Sequence, residues 1–353
     1  MKKILLIAFI PLFTVTLAQP PAGYYNSANG LNGTALQAAL HNIIDNHNVQ
    51  NYNSLHDCFE TTDRKPNGTV WDMYSDNPGG NPPYVFNFTS GDQCGSYNGE
   101  GDCYNREHSW PKSWFNDMSP MYSDLFHLYP TDGYVNGRRS NYPYGTVSSA
   151  SWISENGCKL GDCSYPGYSG TVFEPIDEYK GDFARSYFYM STRYYNEDNG
   201  WPGSDMVNGS QLRPWALSML KEWHLSDPVS QKETDRNNAV YSYQNNRNPF
   251  IDHPEYVSQI WGGPTAVAEI TYNNDISVYP VPAVEYCVIE HHGYYTHNKL
   301  TITITDVTGR NYHTTITGSG STARIDTTPL SHGFYLVTLN EPGKLPAFVR
   351  LMK

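Results

Sequence analysis

The chain has 353 residues and a formal net charge of −12, with 29 tyrosines, 29 glycines and 24 prolines. Charged residues make up only 16 %, a composition typical of a loop-rich extracellular protein and not of a charged helical bundle. The acidic balance argues against generic adhesion to nucleic acid, which usually needs a basic footprint. It does not exclude an enzyme that holds a polyanion through a few local cations. The length predicts two domains.

The first 18 residues have the pattern of a secretory signal peptide. A charged start at residues 1–3 is followed by a mostly apolar run over 4–17, and small residues precede Gln19. The apolar run is too short for a membrane span, which needs roughly 20 apolar residues, and no later run approaches that length. We therefore expect residues 1–18 to be removed and a soluble, exported protein to begin at Gln19.

Export to an oxidising compartment makes disulfides the favoured state of the six cysteines. Short glycine-containing loops favour two local pairs, although other connectivities stay open. The favoured pairs are Cys94–Cys103 and Cys158–Cys163, which leave Cys58 and Cys287 over. Zinc is the competing interpretation, but the chain has no Cys-x-x-Cys pair and its cysteine spacings match no zinc knuckle.

The first part of the mature chain changes from helical to irregular patterning. Residues 36–46 carry apolar side chains at three-to-four spacing, which predicts an amphipathic helix with Thr34 as its cap. Residues 52–104 lose that period and are rich in Asn, Gly, Pro and aromatic residues. Two runs in this region, 69–74 and 84–88, predict short strands between turns.

Three more helices are predicted before the pattern changes again. Aromatic and apolar residues recur at three-to-four spacing over 181–196, and neighbouring helices are predicted over 212–223 and 228–244. After the Trp-Gly-Gly-Pro sequence at 261–264, apolar and polar residues alternate.

Alternating runs at 299–306 and 333–339, with a turn at 308–310, predict half-buried antiparallel strands of a small β-sandwich. The domains are therefore predicted to be 19–263 and 264–353.

The segment 103–115 combines residue types that suit phosphodiester hydrolysis. Glu107 offers the oxygen ligand that a hard divalent ion prefers. His108 is an imidazole that titrates near neutral pH, as a general base for water requires. Arg106 and Lys112 offer positive charge to an anionic substrate. An isolated Glu-His pair on a surface strand is usually just solvated, so the surrounding motifs decide.

A second segment, 124–141, predicts a short strand ending near Pro130 and then a turn into a helix. On that helix Asn136 and Arg139 are three residues apart and share a face. An amide oxygen and a guanidinium on one face can hold an oxygen-preferring ion and the phosphate bound to it. The two segments together predict a compact metal site made of two strands and one helix.

Five motifs in this order resemble the bacterial endonuclease I family of secreted, non-specific nucleases. They are Asn105–Phe115, Asp124–Asn141, Gly181–Arg185, Trp223–Ser230 and Arg236–Pro254. The resemblance covers about residues 20–261. It implies an α+β chain with a ββα-metal (His-Me finger) nuclease domain, followed here by the small antiparallel β-sandwich.

The resemblance also implies roles for individual residues. His108 would be the general base, Glu107 and Asn136 would hold Mg²⁺, with Ca²⁺ or Mn²⁺ as alternatives, and the products would carry 5′-phosphates. The helix motif favours Arg139 over Arg138 as a catalytic residue in contact with phosphate. Adjacent strand residues point to opposite faces. Glu107 and His108 can therefore serve one centre only if the backbone bends or the water lies between them.

Other polar residues keep two interpretations. His127 is either a group that supports the site and substrate binding or a core histidine. Arg185 is predicted to form a salt bridge within the helical layer, with substrate contact as the alternative. Residues 245–254 are dense in turn-forming residues and predict a structural clasp. No recognition helix, zinc finger or basic region is evident, so binding should rest on phosphate contacts and be salt-sensitive.

Short motifs after residue 275 resemble the type IX secretion sorting domain. They are Ile276–Ala283, Ile304–Arg310, Leu330–Thr338 and Arg350–Lys353. The usual Tyr-Pro-Asn-Pro opening appears here as Tyr279-Pro-Val-Pro282. The resemblance implies export by the type IX secretion machinery to the cell surface or the exterior. An adhesion or carbohydrate-binding sandwich is the alternative.

The predicted function is a secreted, metal-dependent endonuclease without sequence preference, which acts as a monomer on DNA and leaves RNA open as a second substrate. One rival is a surface-binding protein whose Glu-His loop holds a structural calcium ion. The other is a phosphodiesterase for small substrates.

Overall fold

The computed structural model describes residues 20–262 and, further along the chain, 276–291, 301–306, 310–312, 315–319, 322–340 and 347–353. The predicted signal peptide lies outside the described residues, as does most of the predicted turn at 308–310. The chain divides into two compact units, Met1–Pro264 and Thr265–Lys353.

The N-terminal unit combines helices with short strands. Its helices are α1 (Gly33–Ile44), α2 (Leu55–Thr62), α3 (Gly133–Arg139), α4 (Lys180–Arg193), α5 (Pro214–Ser226), α6 (Gln231–Gln244), α7 (Pro249–Asp252) and α8 (Tyr256–Trp261). Its strands are β1 (Tyr104–His108), β2 (Leu128–Asp132), β3 (Val147–Ile153), β4 (Lys159–Cys163), β5 (Thr171–Glu174), β6 (Val207–Asn208) and β7 (Gln211–Leu212). Short 3₁₀ helices lie at Asn26–Ala28, Tyr52–Ser54, Lys112–Phe115, Met121–Ser123 and Asp177–Tyr179.

Helix α4 is the centre of this unit, because every residue from Gly181 to Arg193 is buried. It contacts α1, α5 and α7. A helix that is buried all round must have neighbours on every side. The helix predicted over 181–196 is confirmed, although it ends at Arg193.

The predicted helix over 228–244 begins three residues later, at Gln231. Ser230 and Glu233 form a capping box in which each side chain accepts a hydrogen bond from the other residue's backbone N–H. Two unpaired backbone donors are satisfied in this way, so the helix starts where the box places it. The preceding helix, predicted over 212–223, is α5, with Pro214 in its first turn.

Helix α1 begins at Gly33 with Asn32 in the cap position, so the predicted cap at Thr34 is wrong. The three-to-four spacing of apolar residues starts only at Leu36. It therefore does not show where the helix begins, because the first turn of α1 lies before that residue.

The two strands predicted at 69–74 and 84–88 are wrong. Within the described chain, this region contributes only an isolated bridge at Val70. Tyr74 and Phe86 are nevertheless buried in the core. Apolar and aromatic residues of these runs therefore enter the core from a loop, and not from a strand.

The three-stranded antiparallel sheet β3–β4–β5 was not predicted. Its first two strands pair with shifts in register. At Gly161 in β4, a Cβ atom would lie 2.1 Å from the carbonyl oxygen of Ser149. The two backbones approach so closely that this position requires glycine.

One of the two predicted disulfides is present. Cys94 and Cys103 are bonded, whereas Cys158 and Cys163 are free thiols, so their predicted pairing is wrong. Cys158 comes immediately before the extended strand β4 and Cys163 ends it, and five residue steps of extended chain span about 16 Å. A disulfide needs Cα atoms within about 7 Å. Burial raises the pKa of the Cys158 thiol to about 12.

The C-terminal unit consists of two four-stranded antiparallel sheets, with strand orders β11–β10–β14–β15 and β12–β13–β9–β8. These strands are β8 (Ile276–Tyr279), β9 (Tyr286–His291), β10 (Thr301–Asp306), β11 (Asn311–Tyr312), β12 (Ile316–Ser319), β13 (Thr322–Asp326), β14 (Phe334–Asn340) and β15 (Ala347–Met352). Tyr335, Val337 and Leu339 alternate along β14 into a shared core with Cys287 and Ile325. The prediction of a strand-rich C-terminal region is confirmed.

Candidate active site

Strands β1 and β2 form an antiparallel pair, and α3 follows β2 directly. Glu107 and His108 are the last two residues of β1. Asp132 ends β2 and caps α3, because its carboxylate accepts a hydrogen bond from the backbone N–H of Val135 at 2.8 Å. The predicted order of two strands and one helix is therefore present.

One cavity of about 430 Å³ collects the residues that the two motifs predicted. Glu107, His108, Asn136 and Arg139 all line it. Its other lining residues are Tyr52, Asn105, Arg106, Pro111, Lys112, Ser113, Ser140 and Asn141. The chain bends immediately after His108. The two adjacent residues of β1 thus face a common space, as a shared centre requires.

The carboxylate of Glu107 is held through one of its two oxygens. The residue is 1 % exposed, and its Oε1 accepts hydrogen bonds from Arg139 Nη1 at 2.7 Å and from the Tyr74 hydroxyl at 2.9 Å. The Tyr144 hydroxyl is 3.5 Å from the same oxygen. Oε2 has no hydrogen-bond partner among the described residues. Burial raises the pKa of Glu107, while Arg139 and the two phenols oppose that rise.

Arg139 is 1 % exposed, and both terminal nitrogens of its guanidinium are hydrogen-bonded to groups of the protein. Besides Glu107, its Nη1 binds the carbonyl oxygen of His108 at 2.8 Å, and its Nη2 binds that of Ser109 at 2.6 Å. The guanidinium carbon lies 4.5 Å from the centre of the Tyr144 ring. These contacts join the end of α3 to the end of β1. They favour a positioning role for Arg139 over the predicted phosphate contact.

The ring of His108 is oriented by a backbone carbonyl. Its Nε2 lies 3.1 Å from the carbonyl oxygen of Tyr122, which can only accept a hydrogen bond. In the neutral ring the proton therefore sits on Nε2, and Nδ1 keeps a free lone pair. Tyr52 stacks on the ring at 5.9 Å and 16°. Burial lowers the pKa of His108 well below 6.5, and His127 lowers it further.

Asn136 and Glu107 fit a hard divalent ion. The side-chain amide of Asn136 is half-buried, lines the cavity and has no partner in the part of the chain that the structure describes. With the free Oε2 of Glu107 it offers two oxygen donors to one space. Mg²⁺ is typically held by one or two such protein oxygens, while water and substrate phosphate complete its shell.

Two cations stand at the edge of this cavity. Arg106 is half-buried, donates to the carbonyl oxygen of Tyr52 at 2.9 Å and lies 4.1 Å from the centre of that ring. The side chain of Lys112 is 51 % exposed and is paired with Asp117. Both could meet an anionic strand without leaving the cavity rim.

His127 and Arg185 lie outside the cavity lining. His127 is fully buried, and its Nε2 lies 2.7 Å from the carbonyl oxygen of Met121. Its ring packs behind His108 at 5.5 Å. This position is inconsistent with direct substrate contact and fits a residue that supports the His108 ring from the core.

Arg185 is also fully buried, and its guanidinium binds both carboxylate oxygens of Glu233. Its Nη1 donates to the carbonyl oxygen of Asp227 at 2.8 Å. The geometry therefore matches the predicted salt bridge in the helical layer and corrects the alternative of substrate contact, because a saturated interior cation cannot reach a phosphate.

The residues at 245–254 make clasp-like contacts. Asn246 donates to the carbonyl oxygen of Ile44 at 3.1 Å, and Asn248 caps α7. Arg247 binds both carboxylate oxygens of Asp252 at 2.6 and 2.7 Å. All of these contacts are structural.

A second group of metal-capable side chains lies away from the cavity. His41, Asp45 and Glu197 bring one ligand atom each within 4.8 Å of one another. Arg193 already pairs with both carboxylates, at 3.1 Å to Asp45 and 2.9 Å to Glu197. The positive charge of that arginine disfavours a cation at the same place.

Three aromatic residues at the site were missed by the sequence interpretation. Tyr74 and Tyr144 position Glu107, and their hydroxyls are 2.8 Å apart. Tyr52 stacks on His108. They come from segments that are distant in sequence from Glu107 and His108. Neither spacing nor periodicity distinguishes them from the other tyrosines among the 29 in the chain.

The chain is similar to known extracellular and periplasmic nucleases. Residues 32–255 match the Endonuclease I family model. The chain is 38 % identical over 253 residues to an extracellular ribonuclease of Bacillus amyloliquefaciens, covering 67 % of this chain and 78 % of the relative. It is 34 % identical to an extracellular ribonuclease of Bacillus subtilis (strain 168), covering 70 % and 83 %. A periplasmic deoxyribonuclease of Aeromonas hydrophila is 26 % identical over 38 % of this chain and 50 % of the relative.

The second unit has its own match. Residues 277–347 fit the model of the secretion system C-terminal sorting domain, which implies type IX secretion and a secreted or cell-surface location. Among the described residues, no helix is long and apolar enough to cross a membrane. The chain belongs to the Endonuclease I family and is a secreted nuclease, a hydrolase of nucleic acid, with a C-terminal sorting domain.

Proposed function

We propose that the protein is a metal-dependent, sequence-nonspecific endonuclease that hydrolyses phosphodiester bonds in RNA and DNA and leaves 5′-phosphate ends. The observation that carries this proposal is the shared cavity. In it, the open Nδ1 of His108 and the free Oε2 of Glu107 come together with the amide of Asn136.

His108 acts as the general base. Its lowered pKa keeps the ring neutral at neutral pH, and the carbonyl of Tyr122 holds the proton on Nε2. Nδ1 takes a proton from water as the water oxygen forms its bond to phosphorus. The bond from phosphorus to the 3′-oxygen then breaks, and that oxygen takes a proton from solvent. The phosphate stays on the 5′-oxygen of the downstream nucleotide, and the upstream fragment ends in a 3′-hydroxyl.

Glu107 and Asn136 would hold the divalent ion, with Mg²⁺ favoured and Ca²⁺ or Mn²⁺ as alternatives. When bound, such an ion supplies Lewis-acid stabilisation of charge on the phosphoryl and leaving oxygens. Arg139 contributes by fixing the Glu107 carboxylate and by opposing the rise that burial causes in its pKa. Tyr74 and Tyr144 hold the same oxygen, so Oε2 stays directed to the cavity.

The substrate range follows from the nucleophile. Water attacks, and no step uses a ribose 2′-hydroxyl, so the chemistry accepts DNA as well as RNA. The two Bacillus relatives, matched over most of their length, are named ribonucleases. Arg106 and Lys112 would contact phosphates, which predicts salt-sensitive binding without base readout.

The test uses the mature full-length chain with supercoiled plasmid and with RNA, in Mg²⁺ and in EDTA. His108→Ala is expected to lower the cleavage rate by about 10² to 10⁴-fold, as loss of a general base does. His253→Ala is the matched control, because this histidine is part-exposed and does not line the cavity. New 5′ ends should accept label from polynucleotide kinase only after phosphatase treatment. Intact plasmid and RNA in Mg²⁺, Mn²⁺ and Ca²⁺ would overturn the proposal.

A further inference from the structure

A second cavity of about 610 Å³ opens beside the first. The two share Ser113 and Asn141 in their linings, so they adjoin each other. The second cavity is lined from four parts of the N-terminal unit: the 3₁₀ helix at 112–115, the segment after α3, the start of β5 with the segment before it, and residues 202–205 together with Arg213 at the start of α5. Both volumes are in the range of small-molecule sites, roughly 300–1,000 Å³.

Tyr142 presents an aromatic face in this second cavity. It is 39 % exposed and follows Arg139 by three residues, with its backbone N–H bound to the Arg139 carbonyl at 3.2 Å. The backbone of Tyr142 is therefore anchored to the end of α3, the helix that carries Asn136 into the first cavity. An exposed ring in a groove can stack on any base, because every base has a π-face.

Arg213 provides the positive charge. It is exposed, and its Nε donates to the carbonyl oxygen of Ser204 at 3.0 Å. Among the residues that the structure describes, it forms no ion pair. The nearby carboxylate of Asp205 accepts a hydrogen bond from the Tyr168 hydroxyl at 3.2 Å. A guanidinium that is anchored through Nε and free at its two terminal nitrogens can bind a phosphate.

We propose that the second cavity is a nucleotide subsite for a single strand, in which Tyr142 stacks on a base and Arg213 binds a phosphate beside the one being cut. The inference rests on the proposed function and adds that the enzyme grips a single strand at more than one nucleotide. A duplex keeps its base faces stacked inside, so the subsite distinguishes single from double strands.

Binding can be measured apart from cleavage. Fluorescein-labelled dodecathymidylate is titrated with the mature full-length chain in EDTA and followed by anisotropy. Tyr142→Leu is expected to raise Kd by about five-fold or more, which is the loss of one stacked base. Tyr142→Phe keeps the ring and should restore tight binding. The Kd for the duplex of this strand with dodecadeoxyadenylate should not change in Tyr142→Leu. Equal Kd values for the Leu and wild-type proteins on the single strand, or equal losses on both forms, would overturn the subsite.

Arg213 is tested through salt dependence. Arg213→Gln should reduce the slope of log Kd against log salt by about 0.7, the value for one phosphate contact on a single strand. Arg64→Gln removes the same charge from a part-exposed arginine that lines neither cavity, and should leave the slope unchanged. An unchanged slope in Arg213→Gln, or an equal change in Arg64→Gln, would contradict the proposal.

Turnover in Mg²⁺ completes the test. Both variants should raise KM more than they lower kcat. If wild-type protein cuts the strand and neither variant changes Kd or KM, the subsite fails while the proposed nuclease function stands. If wild-type protein cuts nothing in any metal, the proposed function fails.

Discussion

Two buried arginine–glutamate pairs in the N-terminal unit share their chemistry and differ in geometry. In the open pair, Arg139 binds one oxygen of Glu107, and the other oxygen is left for the cavity. In the closed pair, Arg185 binds both oxygens of Glu233. Burial and charge are alike, so neither separates a site from a structural clasp. The feature that distinguishes the site from the clasp is the free carboxylate oxygen of Glu107.

Both partners of the closed pair are hydrogen-bonded to other groups of the protein. Glu233 Oε2 also accepts from the backbone N–H and the hydroxyl of Ser230, at 2.9 and 3.1 Å. This ties α4 to the first turn of α6. A buried ion pair of this kind stabilises little over an apolar core, but removing one partner costs about 3–5 kcal/mol.

The largest expected contrast is between the two glutamates. Glu107→Gln should lower metal-dependent kcat/KM by about 10³-fold, because the carboxylate that binds the ion and several kcal/mol of transition-state stabilisation are lost. Glu233→Gln should instead lower the free energy of unfolding by about 3–5 kcal/mol, with kcat of the folded protein unchanged. Cleavage assays and urea unfolding measure the two effects. A folded Glu233→Gln protein without activity would break the comparison.

Substitutions of Arg139 and Arg185 should show the same contrast between activity and stability, with smaller effects. A lysine cannot bind Glu107 and two carbonyl oxygens with one planar fork. Arg139→Lys should therefore cost about 10- to 100-fold in activity or metal affinity, as other groups that orient a metal ligand do. Arg185→Lys should change stability and leave kcat alone. Metal titrations of activity separate the outcomes, and equal kcat losses in both variants would refute the distinction.

The hydroxyl of Tyr74 offers a finer test. Tyr74→Phe removes one hydrogen bond to Glu107 Oε1 and should lower activity by roughly ten-fold or less. Tyr189→Phe removes a buried hydroxyl that donates to Asp124 at 2.9 Å, outside the cavity, and should cost only about 1 kcal/mol of stability. Steady-state kinetics at saturating metal checks this pair, and a kcat loss in Tyr189→Phe equal to that in Tyr74→Phe would count against it.

The smallest expected effect is that of pH. The base works only when neutral, so activity is full above the pKa of His108 and falls as pH drops through it. Burial lowers that pKa well below 6.5. At saturating metal, kcat/KM at about pH 6 should therefore stay within about two-fold of its value at about pH 7.5. An inflection near or above pH 7 would show that His108 is not the buried, neutral base described here.

That Glu107, His108, Asn136 and Arg139 lie close together could be predicted because their motifs are local. Glu107 and His108 end one strand, and Asn136 and Arg139 lie on the helix that follows its partner. Their proximity needs only a strand pair and a turn. The burial of Arg139 could not be predicted, because an arginine at this position of the motif can either bind a phosphate or hold a carboxylate.

The remaining parts depend on packing between distant segments. Tyr74 approaches Glu107 from a loop that had been predicted as a strand, and Tyr144 comes from beyond α3. The false strands at 69–74 and 84–88 arose because apolar and aromatic residues that enter the core from a loop resemble those of a short strand. A short glycine-containing loop favours pairing Cys158 with Cys163, but that pattern does not show the extended strand between them.

Binding of Mn²⁺, measured by electron paramagnetic resonance, tests most directly whether the open pair holds a divalent ion. Wild-type, Glu233→Gln and Asp45→Asn proteins are predicted to bind Mn²⁺ with the same affinity, the last because Arg193 neutralises the His41 group. Glu107→Gln is predicted to lose that site. An unchanged affinity in Glu107→Gln, or loss of the site in Asp45→Asn, would contradict the account.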